Sequence, residues 1–200
     1  MSIAEATSPV APSIRRFTAA ELAVLPDAKR FELEDGILVE RDMSVESSWI
    51  GGELAAVLRN HCKAKELGWV FPADNAYQCF PDSPDTIRKP DVSFIRFGRL
   101  TDEKLPAEGY AKIPPDLAVE VISPNDLAYE VERKIKQYLS AGVQLVWVIN
   151  PDTRTIRIHR PDGTLAEFGA DGELSGERVV PGFRCAVREL FPPQTAPAKA

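Results

Sequence analysis

The chain has 200 residues and a formal charge of −6, from 24 basic against 30 acidic side chains. A hydrophobic fraction of 44% is enough to bury one domain-sized core, which excludes disorder as the main description. A protein that coats nucleic acid over its whole surface is usually basic, so the charge argues against a structural DNA-binding protein but not against an enzyme that touches nucleic acid locally. No apolar run approaches the roughly 18 residues of a membrane span. The first segment carries Glu5 and no apolar stretch, unlike a signal peptide. Cys62, Cys79 and Cys185 are odd in number and far apart, so neither a disulfide framework nor a zinc pattern is expected. These readings place the protein in the cytoplasm, reduced, with no membrane partner.

Residues 1–13 and 192–200, rich in Pro and Ala without periodicity, are expected to be disordered tails around a single domain over 14–191. Thr18 to Leu25 reads as a short helix, with Thr18 as N-cap and Glu21 completing a capping box. Phe31 to Glu40 reads as a hairpin turning at Asp35-Gly36. Ser48 to Lys65 follows as a helix whose Ile50, Leu54, Val57, Leu58 and His61 recur at helical spacing. Trp69 to Phe80 looks like a strand pair segment.

Pro90 to Phe94 is a short strand, while Asp116 to Ser123 and Gln144 to Asn150 are almost continuously apolar, as strands buried on both faces are. Between the last two, Val131, Ile135, Tyr138 and Leu139 make one apolar stripe of a helix over Asp126 to Ala141, capped by Asn125 or Asp126. Strand, helix, strand is a right-handed crossover, so those two strands should be parallel. Thr155 to His159 and Leu165 to Phe168 form a closing hairpin around Pro161-Asp162-Gly163. The expected fold is α/β, a mixed central sheet flanked by helices with an N-terminal hairpin extension.

Three residues do not fit a plain core. Glu120 stands in the middle of the apolar LAVEVI run, where an ionised carboxylate needs a partner, a proton or a cation. It could also face water from a strand edge or sit in a buried salt bridge. Asp91 opens the neighbouring strand; alone it reads equally as a strand-entry turn residue. Lys134 is the basic residue of its helix best placed to reach inward. At about 100° per residue it lies roughly 75° from the stripe centre, whereas Lys136 lies about 125° away and Arg133 points nearly backwards. By itself it could be a surface lysine lying over an apolar face. Together the set has a chemical use. Two carboxylates hold Mg²⁺ or Mn²⁺, which polarises a phosphodiester and lowers the pKa of a bound water, while a lysine orients that water and offsets developing charge.

Pro90-Asp91, Glu120 and a following lysine resemble the PD-(D/E)XK nuclease superfamily. The usual lysine stands two residues after the acid, where this chain has Ile122; one bacterial branch of restriction-endonuclease-like proteins moves it onto the next helix. The likeness to that branch runs from about Phe17 to Phe191, through FELEDGILVE, KPDVSFI, LAVEVISPND, KIKQYLSAGV, VWVINP and PGFRCAV. It implies a restriction-endonuclease-like core, Asp91 and Glu120 as metal ligands, Lys134 as the displaced lysine, and an added acid from the N-terminal part. Glu32 is the best placed for that last role, though it reads equally as an exposed hairpin residue, and Glu46 is weaker. Ser47 stands where relatives of the branch often have histidine, and His61 and His159 read as structural or surface residues.

The implied activity is a metal-dependent endonuclease hydrolysing phosphodiester bonds, with DNA as the expected partner. The alternatives are a non-catalytic DNA- or protein-binding module that keeps the fold, and a hydrolase of a smaller phosphoester. Asp91 and Glu120 are expected within about 6 Å of each other, as ligands of one metal. Cutting both strands of a duplex from one small site per chain needs two copies, so a homodimer is expected, with the N-terminal hairpin or the tryptophans supplying its contact.

Overall fold

The structure, a computed structural model, describes residues 15–41, 43–100, 105 and 109–193. The expected tail at 1–13 and most of that at 192–200 lie outside the described residues. Its elements run α1 (Ala19–Ala23), β1 (Phe31–Glu34), β2 (Ile37–Glu40), α2 (Val45–Ala64), β3 (Gly68–Pro72), β4 (Val92–Arg96), β5 (Leu117–Val121), α3 (Ala128–Ser140), β6 (Leu145–Asn150), β7 (Thr155–His159), β8 (Leu165–Phe168), β9 (Glu173–Ser175) and β10 (Arg184–Ala186). Short 3-10 turns occupy Ala28–Arg30 and Val187–Leu190.

The central sheet has six strands in the order β3-β4-β5-β6-β7-β8. Only β5 and β6 are parallel, joined by α3 as the crossover; the other neighbours are antiparallel. Alternation along β5 sorts its side chains between two cores. Leu117, Val119 and Val121 face the larger one, shared with Ile50, Leu54 and Leu58 of α2 and with Trp147 of β6. Ala118 faces the smaller one, shared with Ile135 and Tyr138 of α3 and with Val146 and Val148. By the same alternation Glu120 falls on the α3 face, which is what places an acid under that helix.

The N-terminal hairpin is a separate two-stranded sheet with the pairing Glu34↔Ile37 across its turn. Asp35 and Gly36 both take positive φ, +48° and +83°, as a two-residue turn that follows strand twist requires. The hairpin packs through Leu33 against Ile87 and Leu22 of α1, and Leu33 exchanges backbone hydrogen bonds of 3.0 and 2.7 Å with Ile87. That bridge sets the hairpin beside the entry to β4. Gly68 opens β3 because any Cβ there would meet the Ile95 carbonyl oxygen at 2.2 Å.

Several expectations need correction. The segment Trp69 to Phe80 supplies one strand, β3; beyond it, among the described residues, Tyr77 makes isolated bridges to Arg88 and Ala111. The cap of α3 is Leu127, with no side-chain cap bond, rather than Asn125 or Asp126. The Asp126 carboxylate instead accepts the Ser123 amide at 2.7 Å, closing the turn that leaves β5. The pair β9–β10 was not foreseen; Leu174, Phe183 and Val187 of that region close the larger core beneath α2. The capping box of α1 forms as expected. The three cysteines are free, and burial pushes all three thiols up, Cys79 to about 12 and Cys62 and Cys185 to about 11. Among the described residues no helix is long and apolar enough to cross a membrane.

Candidate active site

The sheet register brings the two candidate metal ligands together. In the antiparallel pair β4–β5 the register ends at Val92 opposite Val119, with Asp91 just before the one and Glu120 just after the other. The backbone closes the corner: the Asp91 amide donates to the Val119 carbonyl at 2.9 Å, and the Val121 amide donates to Asp91 Oδ2 at 2.8 Å. Gly51 lets α2 come close here, since a Cβ at that position would stand 3.8 Å from Asp91 Cβ.

Glu120 is 8% exposed and accepts two hydrogen bonds from α3. Lys134 Nζ donates to Oε2 at 3.1 Å and the Tyr138 hydroxyl donates to Oε1 at 2.7 Å. These donors are one helical turn apart, at i and i+4, so both come from the face that meets the sheet. The helical arithmetic thus matches the direction of Lys134, whereas Lys136 is exposed.

Glu32 is not an exposed hairpin residue. It is 1% exposed, on β1, with its carboxylate inside a cluster of bases. Lys134 Nζ lies 3.3 Å from its Oε2, Arg88 Nη1 donates to the same oxygen at 3.1 Å, and the Lys89 amide donates to Oε1 at 2.6 Å. Burial would raise this carboxyl, but the charges of Lys134 and Arg88 and the Lys89 amide outweigh it and hold the group at about 2. Burial works against the Lys134 charge as well; the Glu120 and Glu32 carboxylates overcome it and set the ammonium above the ordinary lysine range.

Arg88, which carried no signal in the sequence, is fully buried, 1% exposed. Its Nε donates to Gln137 Oε1 at 2.8 Å, and its Nη2 lies 3.1 Å from Glu34 Oε2 without the alignment of a hydrogen bond. Glu34 also pairs with Arg133, the helix residue that points away from the sheet. Arg41, just after β2, was equally unforeseen. Its side chain is 11% exposed; Nη2 donates to Asp91 Oδ1 at 3.2 Å and Nη1 to the Ala73 carbonyl at 3.1 Å. Burial, then the charge of Glu120, pushes the Asp91 carboxyl up to about 7 against the Val121 amide and Arg41.

A cavity of about 480 Å³ opens over this arrangement, and Glu32, Arg41, Asp91, Glu120 and Lys134 all line it. Glu46 does not; it is exposed in the first turn of α2. Ser47 completes a reciprocal cap with Ser44 and places its Oγ 3.2 Å from Ser123 Oγ at the exit of β5. His61 binds the Pro181 carbonyl and His159 lies on β7, neither of them in the cavity.

The donor chemistry suits a hard divalent cation. Asp91 and Glu120 both offer carboxylate oxygens to one cavity, and their mutual repulsion is what a cation relieves. No group of three or more Asp, Glu, His or Cys side chains suited to a metal is found among the described residues. A magnesium-like ion tolerates this, since it keeps several waters and needs only one or two protein carboxylates.

A family model described as "Uma2: Putative restriction endonuclease" matches residues 17–188. A crystal structure described as a putative nuclease belonging to DUF820, from Anabaena variabilis ATCC 29413, superposes with a TM-score of 0.74 at 23% identity. The match covers 88% of this chain and 97% of that one, and at that identity it shows the shared fold. Among curated proteins none matches.

Proposed function

Because the chain belongs to the Uma2 family of restriction-endonuclease-like proteins, which supports a nuclease in general terms, we propose that it is a metal-dependent endonuclease acting on DNA in the cytoplasm. The observation that supports this most is the convergence on one cavity of Asp91, Glu120 and Lys134, with Lys134 Nζ 3.1 Å from Glu120. In this reading Asp91 and Glu120 hold Mg²⁺ or Mn²⁺. When bound, the ion supplies Lewis-acid polarisation of the phosphodiester and a water of lowered pKa.

The remaining work falls to the chain's own groups. Lys134 spends donors on Glu120 and Glu32 and, with three N–H bonds in all, keeps one for a phosphate oxygen or the attacking water. Held charged between two carboxylates, it serves as a fixed positive charge for the developing phosphorane rather than as a proton acceptor. Glu32, gripped by Arg88 and the Lys89 amide, fixes where that ammonium stands. Tyr138 holds the second oxygen of Glu120, so that the carboxylate cannot rotate away from the cavity. Arg41 sets Asp91 from the opposite side.

A second reading, a binding module without catalysis, draws support from one feature: both acids already have basic partners, Arg41 and Lys134. The deciding experiment incubates the purified protein with plasmid and with single-stranded DNA in Mg²⁺, Mn²⁺ or EDTA. Cleavage that needs metal and is abolished in Asp91→Ala supports the enzyme. DNA binding without cleavage across those substrates moves the conclusion to the module.

A further inference from the structure

Helix α2 is apolar on both sides over its first three turns. Its inner face, through Ile50, Leu54 and Leu58, is buried in the larger core. A helix lying on a domain should then be polar outside. Instead Val45, Trp49, Gly52 and Ala56 recur at helical spacing, within about 60° of one another at 100° per residue and opposite the buried face. Val45 is 90% exposed and Trp49 51% exposed, and nothing stands within 4 Å of a Cβ built on Gly52. The amphipathic α3 shows no such outer stripe.

We infer that the outer face of α2 is the contact between two copies of this chain, paired antiparallel about a two-fold axis. The charges along the helix decide the occupant. The first half carries Glu46 and Glu53, and the second half carries Arg59 and Lys63. Such a helix complements its own reversed copy. The midpoint of Val45–Ala64 falls between Leu54 and Ala55, so Gly52 and Ala56 straddle the axis, where small residues let helices approach to about 8 Å. In that register Glu46 of one copy faces Lys63 of the other, and Trp49 faces Asn60 beside Arg59, a guanidinium that can lie over the indole. Two-fold pairing uses one patch twice, which is what a self-complementary helix offers. A nucleic-acid partner fits this face less well, because its first half is acidic. The inference does not depend on the nuclease reading; it concerns a face turned away from the cavity.

Sedimentation velocity on the full chain tests it. At about 50 µM, far above a micromolar dissociation constant, the protein should run as a dimer. Trp49→Glu should run as a monomer, while Tyr129→Ala, which removes another exposed aromatic, should stay dimeric. Glu46→Lys and Lys63→Glu should each weaken association at least tenfold, and the double swap should restore it. Thermal melting of each single variant checks that it has folded. A wild-type monomer at that concentration, a dimeric Trp49→Glu, or a double swap without recovery would overturn the inference. So would a monomer whose DNA affinity falls in Trp49→Glu, which would give the face to nucleic acid.

Discussion

Lys134 on α3, the crossover helix of the central sheet, and Glu32 on β1 of the separate hairpin sheet are 102 residues apart in sequence, yet the ammonium lies 3.3 Å from the carboxylate. This contact makes the N-terminal hairpin part of the candidate site rather than an appendage to it. It also divides the residues of α3 into those that meet the sheet and those that meet water, and the two groups should behave differently.

Lys134→Met should lower cleavage by at least about 10²-fold, the usual contribution of a positioned catalytic group, while Lys136→Met should leave it within about twofold. Single-turnover rates with saturating metal, alongside thermal melting of each variant, make the comparison. Equal losses in the two variants would remove Lys134 from the mechanism.

Tyr138→Phe deletes one hydrogen bond to a buried carboxylate. A bond to a charged group contributes about 1.5–3 kcal/mol, so unfolding in urea should show a loss of that order. Because Lys134 still holds the other oxygen, Mn²⁺ should still bind, and Glu120→Gln should weaken that binding far more. Titration calorimetry separates the two variants.

The Glu32 carboxyl is held at about 2, below its ordinary 4.5, so it contributes stability that is fully present above about 4.5 and is lost as pH falls through about 2. Glu32→Gln removes that dependence. The stability gap between wild type and variant should therefore narrow between pH 4.5 and pH 2. A gap that stays constant over that range would mean that the carboxyl titrates alike in the folded and the unfolded chain. Arg88→Met, which leaves Glu32 charged and without its buried guanidinium, should cost about 3–5 kcal/mol.

Ser47→Ala breaks the reciprocal cap with Ser44 and the contact with Ser123. It should cost about 0.5–2 kcal/mol of stability and leave the cleavage rate within about twofold. A larger loss of rate would assign position 47 a part in the chemistry.

What could be read from the sequence was what local geometry controls. The almost continuous apolar runs around Val119 and Trp147 marked strands covered on both faces, and the stripe through Ile135 and Tyr138 fixed which way Lys134 points. Asp35-Gly36 located its turn because two consecutive positive φ angles leave few other residues. The partners of Glu32 were out of reach, because Arg88 and Lys89 lie more than 50 residues away and nothing local marks an arginine as buried. Tyr138 was counted as apolar, although its ring packs in the smaller core and its hydroxyl serves Glu120. Arg41 resembles any hairpin-end arginine until β4 delivers Asp91 beside it. The short β9–β10 pair has three residues a side, too few for a period to register.

The Leu33–Ile87 bridge has a kinetic consequence. It ties a hairpin that can close by itself to a strand entry more than 50 residues downstream, and Lys134 settles between two acids only after both are docked. Contacts between such distant segments form late, since the intervening loop must be ordered first. A nascent or partly unfolded chain therefore carries the acids and the lysine without the charge arrangement that joins them. The cavity thus acquires its charge arrangement only when the hairpin docks, so its completion reports the folding of the whole domain.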